Sequence, residues 1–198
     1  CKCLLSKRLQ MILARHCLLF ALLIVCAYTD LAEGKIYNWC TLPALAAGLL
    51  LNYVIGGVLE DGWSGMSLAG SGIAVLVVLV FFGWPYLRGG LAAGDLKLML
   101  AVGAIGGLHR YYVVYAAFYS VLVGALMAFL VFLWRGKLWE GLKGALRFTF
   151  STGAVGREGE ENIEPQRVKM TGLTVPYGVA ISIGSVIAWY IVEIPAKG

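Results

Sequence analysis

Charge is scarce in this 198-residue chain: Asp, Glu, Lys and Arg together make up 14%, against about a quarter in an ordinary soluble domain. Histidine is nearly missing too, with only 2 residues, His16 and His109, far apart in sequence. Neither has a neighbour that suggests a metal ligand set. The 5 cysteines (Cys1, Cys3, Cys17, Cys26 and Cys40) are odd in number and form no CxxC pair. That pattern supports neither a disulfide framework nor a zinc site. Cys17 and Cys26 lie within an apolar stretch and are expected to be small buried hydrophobes. In place of charge there is apolar mass: 60% of the residues are hydrophobic and the mean hydropathy is +0.82. This is too apolar for a water-soluble core of this size. The length accommodates several membrane helices of roughly 20 residues each.

The apolar residues fall into six runs, at about 11–29, 39–59, 66–86, 96–108, 111–134 and 173–194. The fourth is short for a full span, and either takes in the Gly-rich approach before it or is partly sheltered by protein. The first is too long for a cleaved signal peptide. A polar stretch separates the fifth and sixth runs. Leu138, Leu142, Leu146 and Phe150 recur there at helical spacing with Lys143 and Arg147 among them. An amphipathic helix on the membrane surface is expected over 137–150, followed by a Gly- and Glu-rich loop at 151–171. The expectation is one all-α integral-membrane domain over 1–198, with about six transmembrane helices and one interfacial helix.

The net charge of +5 does not suggest nucleic-acid binding, because the basic residues lie between apolar runs, where they report topology. Six spans place ten of the 16 Lys and Arg residues on one side, among them Lys35, Arg88 and Lys97, and the other six on the opposite side. The richer side is expected to be cytoplasmic. Asp30 and Asp95 both fall on it.

Carboxylates at membrane boundaries are costly and mark functional sites. Asp30 ends the first run and Asp95 opens the fourth. Two carboxylates at close range cannot both ionise easily, so one holds a proton while the other acts as base. Such a pair activates water and protonates a leaving amine, which makes peptide hydrolysis the natural reaction. The helix ends distinguish the two, with Asp95 at a positive N-terminus and Asp30 at a negative C-terminus, and this casts Asp95 as the base. A simpler alternative stands beside this for Asp95, as a helix N-cap. Asp30, at the negative end of a helix dipole, has a weaker alternative, as a loop charge in water. Gly94 is expected to let a substrate strand approach, whereas Gly103 and Gly107 are expected to pack helices. Lys35 and Lys97 either snorkel to the interface or hold substrate and steady the carboxylates. Gly70-Ser71-Gly72 lacks a histidine partner for serine nucleophilic catalysis.

Three blocks, in order, resemble the type IV prepilin peptidases, the bacterial branch of the GxGD membrane aspartic proteases. The first is Asp30-Leu-Ala-Glu-Gly-Lys35-Ile-Tyr-Asn38, where Tyr37 stands at the family's Pro in Ile-Pro-Asn. The second is Gly90-Leu-Ala-Ala-Gly94-Asp95-Leu-Lys97-Leu98, with Ala92 at the first Gly of the motif and trailing glycines at Gly103, Gly106 and Gly107. The third, Pro176-Tyr177-Gly178, enters the last run. The resemblance implies an aspartic endopeptidase of the inner (cytoplasmic) membrane, with catalytic residues Asp30 and Asp95. Gly94, Lys97, Lys35 and Asn38 would lie along the substrate. The substrate would be a prepilin or pseudopilin with a short basic leader and an apolar stem, cut at the cytoplasmic face. A compact form without the methyltransferase region is expected. No metal or organic cofactor is expected, because the carboxylate pair activates water itself. Two other readings compete. An ion- or proton-coupled transporter subunit would use Asp30 and Asp95 without hydrolysis, and a structural subunit of a secretion machine would tolerate Asn at both positions.

Overall fold

The structure is a computed structural model that describes residues 2–57, 67–134 and 176–193. The surface helix expected over 137–150 and the loop expected over 151–171 lie outside the described residues. Every regular element described is helical: α1 (Lys2–Glu33), α2 (Asn38–Gly56), α3 (Leu68–Leu87), α4 (Ala93–Gly106), a single 3-10 turn (His109–Tyr111), α5 (Tyr112–Trp134) and α6 (Tyr177–Glu193). The expected all-α, polytopic architecture is what the structure shows. Four helices, α1, α2, α3 and α5, are long and apolar enough to cross a membrane. The other two are shorter, and α4 is the informative one.

At about 1.5 Å per residue, the 14 residues of α4 extend roughly 21 Å, well short of a hydrocarbon layer of about 30 Å. A helix that stops inside an apolar medium leaves its last carbonyls without partners. Here the surrounding protein supplies them. α4 packs against each of the other five helices, and Leu98, Met99, Ala101, Val102, Ala104 and Ile105 are fully buried. Its apolar residues therefore cover its whole circumference, as a central helix requires.

At the far end of α4, buried Asn52 of α2 donates from Nδ2 to the carbonyls of Ala104, at 2.9 Å, and Ile105, at 3.0 Å. Ser71 Oγ of α3 lies 2.8 Å from the same nitrogen. Gly107 then turns the chain at φ +63°, a left-handed conformation that glycine adopts without strain. Ser71 is thus a buried structural partner.

The close packing follows from small residues. A Cβ on Gly48 of α2 would stand 2.8 Å from the Ile105 backbone nitrogen, so α2 and α4 touch through bare backbone. A Cβ on Gly184 of α6 would collide with the Ser120 backbone of α5. Gly103 packs between Val78 and Val113, the helix-packing role expected of it. The outer surface is apolar, with Val80, Phe81, Leu87 and Phe118 exposed. Cys17 belongs to that outer surface and is not buried as expected, whereas Cys26 is. An apolar run does not by itself tell the lipid-facing side of a helix from the core-facing side.

Candidate active site

The apolar run ending at 29 stops short of the helix it belongs to. α1 continues to Glu33 and ends at Gly34, whose φ of +61° reverses the chain and whose N–H donates to the Asp30 carbonyl at 3.0 Å. Asp30 therefore lies in the last helical turn, not in a loop, and its side chain is only 8% exposed. The short connection 34–37 leads into α2, where Tyr37 is the N-cap. Its carbonyl accepts from the N–H groups of Cys40 and Thr41.

Asp95 sits in the first turn of α4 and is also 8% exposed. The N-cap is Ala92, which makes no side-chain cap. Asp95 is therefore not the cap residue. It stands among the first-turn N–H groups, where the helix dipole favours negative charge.

Three separate segments converge here. A Cβ at Gly94 would lie 3.0 Å from Ile36 Cβ, which brings the α4 entrance against the α1–α2 connection. Ile36 fills the side of Gly94 that a side chain would otherwise occupy. A Cβ at Gly178, in the first turn of α6, would lie 2.8 Å from Asp30 Oδ2 and 2.9 Å from Ile36 Cδ1. The neighbouring Tyr177 packs its ring on Gly124 of α5 and lies within electrostatic reach of the Asp95 carboxylate. The end of α1 and the starts of α2, α4 and α6 thus gather both aspartates at one end of the bundle.

The residues expected along the substrate divide. Lys97 Nζ donates to Asn38 Oδ1 at 2.9 Å, tying the Asp95 segment to the start of α2. Lys35 and Asn38 are exposed in the same corner, and Gly94 and Lys97 are half-buried. Tyr37 donates its hydroxyl to the Glu33 carboxylate. That bond, with the carboxylate's charge, holds the Tyr37 phenol above its ordinary value. One turn before Asp30, the Cys26 sulfur lies 3.9 Å from that of Cys40.

Ile36, Tyr177 and Gly178 were not among the expected site residues, although the Pro176-Tyr177-Gly178 block was visible. The signal was that block itself, but nothing in a linear sequence places residue 178 beside residue 30.

An all-helical membrane bundle with two buried carboxylates, contributed by separate helices at one end, has the makings of a membrane-embedded acid–base site. The profile of the type IV leader peptidase family matches residues 17–129, more than half of the chain, and the chain belongs to that family. It is a peptidase of membrane-protein architecture, with a prepilin-like substrate in the general sense that membership carries. The matched stretch includes Asp30, Asn38, Gly94, Asp95 and Lys97 and ends before α6. No curated protein and no solved structure matches the chain.

Proposed function

We propose that this protein is an aspartic endopeptidase that removes the leader of type IV prepilins or pseudopilins at the cytoplasmic face of the inner membrane, with Asp30 and Asp95 as its catalytic pair. The observation that carries the proposal is the burial of both carboxylates at one end of the bundle, each on a segment inside the family match. One carboxylate takes a proton from the attacking water while the other, protonated, hydrogen-bonds the scissile carbonyl and later protonates the leaving amine. The position of Asp95 at a helix N-terminus favours it as the base. The Lys97–Asn38 hydrogen bond ties the Asp95 segment to the start of α2, and exposed Lys35 is free to meet an acidic group on the substrate. Gly94 and Asn38 border the substrate path beside them.

The test is cleavage of a co-reconstituted prepilin in liposomes by wild type, Asp30→Asn and Asp95→Asn. Each variant is expected to insert normally and to lose about 10³-fold or more in rate, in line with removal of a general acid or base. Cleavage at near wild-type rate by either inserted variant would overturn the dyad. Ion-dependent uptake by vesicles that contain the protein and cleave nothing would support the transporter reading instead.

A further inference from the structure

At the start of α6 the Asp30 carboxylate meets bare backbone. The Cβ that any residue other than glycine would carry at 178 falls 3.1 Å from Asp30 Cγ and 2.8 Å from Asp30 Oδ2, the latter closer than real Cβ contacts come. Gly178 is helical and is not among the positive-φ glycines, so backbone conformation does not require glycine there. Space does. Nor can α6 simply back away. One turn on, Ser182 Oγ donates to the Gly178 carbonyl at 2.8 Å and lies 3.2 Å from the Leu23 carbonyl of α1, which fastens the two helices together. On the other flank Tyr177 is seated on Gly124 of α5, where a Cβ would stand 2.5 Å from the Tyr177 ring. Residue 178 lies outside the family match, which ends at 129.

We infer that Gly178 is a positioning residue for Asp30: its bare backbone is the wall that sets where the carboxylate stands, and any side chain at 178 displaces it. The inference rests on the proposed role of Asp30 and Asp95. A misplacement of about 1 Å in a reacting group costs on the order of 10²-fold in rate. A methyl group introduced at 2.8 Å has to move either the carboxylate or the helix by several tenths of an ångström or more.

The experiment compares wild type, Gly178→Ala, Gly184→Ala and Asp30→Asn in liposomes with a prepilin substrate, measuring kcat, KM and the pH profile of kcat. Gly178→Ala is expected to lower kcat by about 10²-fold, to leave KM within about threefold, and to displace the pH profile. Gly184→Ala, in the same helix but packed on Ser120, is expected to lower thermal stability without displacing that profile. Thermal unfolding adds a test that does not depend on activity. The loss of Tm caused by Gly178→Ala is expected to shrink in an Asp30→Ala background, because the carboxylate is the nearer of the two groups it meets, Ile36 Cδ1 at 2.9 Å being the other and common to both backgrounds. The loss from Gly184→Ala is expected to be the same in both backgrounds. If Gly178→Ala keeps the wild-type kcat and pH profile while Asp30→Asn is inactive, the positioning role is wrong and the dyad stands. Equal Tm losses for Gly178→Ala in the two backgrounds would also overturn it. Cleavage by Asp30→Asn would remove the dyad and this inference together.

Discussion

At Ala92 the backbone has φ −74° and ψ 148°, a conformation open to any L-residue. A glycine at this position, as in the GxGD pattern that the block resembles, is therefore not needed for a positive φ in this chain, and alanine stands there without strain. Tyr37 is similar. It caps α2 at φ −84° and ψ 137°, close to the φ of about −65° that proline imposes, and this corner uses the Tyr37 carbonyl for its hydrogen bonds. Ala92→Gly and Tyr37→Pro are both expected to insert normally and to cleave within about threefold of wild type, a change of under about 1 kcal/mol. A large loss in Tyr37→Pro would mean that the Tyr37 side chain contributes to the reaction. Its hydroxyl does have a measurable signature. The Glu33 carboxylate raises the Tyr37 phenol above the ordinary 10, so the bond is intact at neutral pH and is lost only as pH rises through the elevated value. In an alkaline absorbance titration, the difference between wild type and Tyr37→Phe is expected to appear above pH 10. Glu33→Gln is expected to bring that signal down toward 10. Titration of Tyr37 below its ordinary value would show that the contact does not form.

Among the elements, α4 carries the strongest structural demand, because it ends inside the bundle. Replacing Asn52 with Leu leaves the Ala104 and Ile105 carbonyls in an apolar interior. It is expected to cost about 1–3 kcal/mol, the usual penalty for orphaned buried acceptors. Ser71→Ala, which removes only one contact to the Asn52 amide, is expected to cost less. Thermal unfolding in detergent measures both, and an Asn52→Leu variant as stable as wild type would show that the α4 terminus is satisfied in some other way. α1 packs on α2 with the Cys26 and Cys40 sulfurs 3.9 Å apart. These elements also show what the sequence could express. The runs at 39–59, 66–86 and 111–134 announced α2, α3 and α5, because apolarity alone defines a helix surrounded by lipid or protein. The two aspartates were legible because a carboxylate beside an apolar run is rare. Helix ends were not: α1 runs four residues past its apolar run, to Glu33, and Ala92, which has no capping side chain, caps α4. Asn52 reads as one polar residue in an apolar run, and only the fold reveals which carbonyls it serves. Gly178 is one of 26 glycines, and its importance lies in a neighbour 148 positions away.

Among the described residues of the whole molecule, the shell is apolar and the interior holds the polar side chains Asn52, Ser71, Ser120 and Ser182. Lys35, Arg88 and Lys97 all sit near the aspartate end, where exposed Trp39 and Trp84 stand as interfacial aromatics are expected to. The Arg88 guanidinium lies 4.3 Å from the centre of the Trp84 ring, a cation–π contact suited to the boundary between headgroups and hydrocarbon. At the opposite end, the chain passes from α4 through Gly107 and the 3-10 turn to α5, and exposed Tyr111 occupies φ +59°. If the excess of basic residues sets the orientation, the aspartate end faces the cytoplasm and the turn at 107–111 faces away from it. Single cysteines at Lys35 and at Tyr111, each in a chain with its native cysteines replaced by Ser, make the test. A membrane-impermeant maleimide added to intact cells is expected to label the Tyr111 site and to reach the Lys35 site only after the inner membrane is opened. Both substituted residues are exposed, so failure to label would reflect sidedness and not burial. The reversed pattern would put Asp30 and Asp95 on the outer face, where a cytoplasmic leader could not reach them before translocation. The fold would survive that result, and the proposed site of cleavage would not.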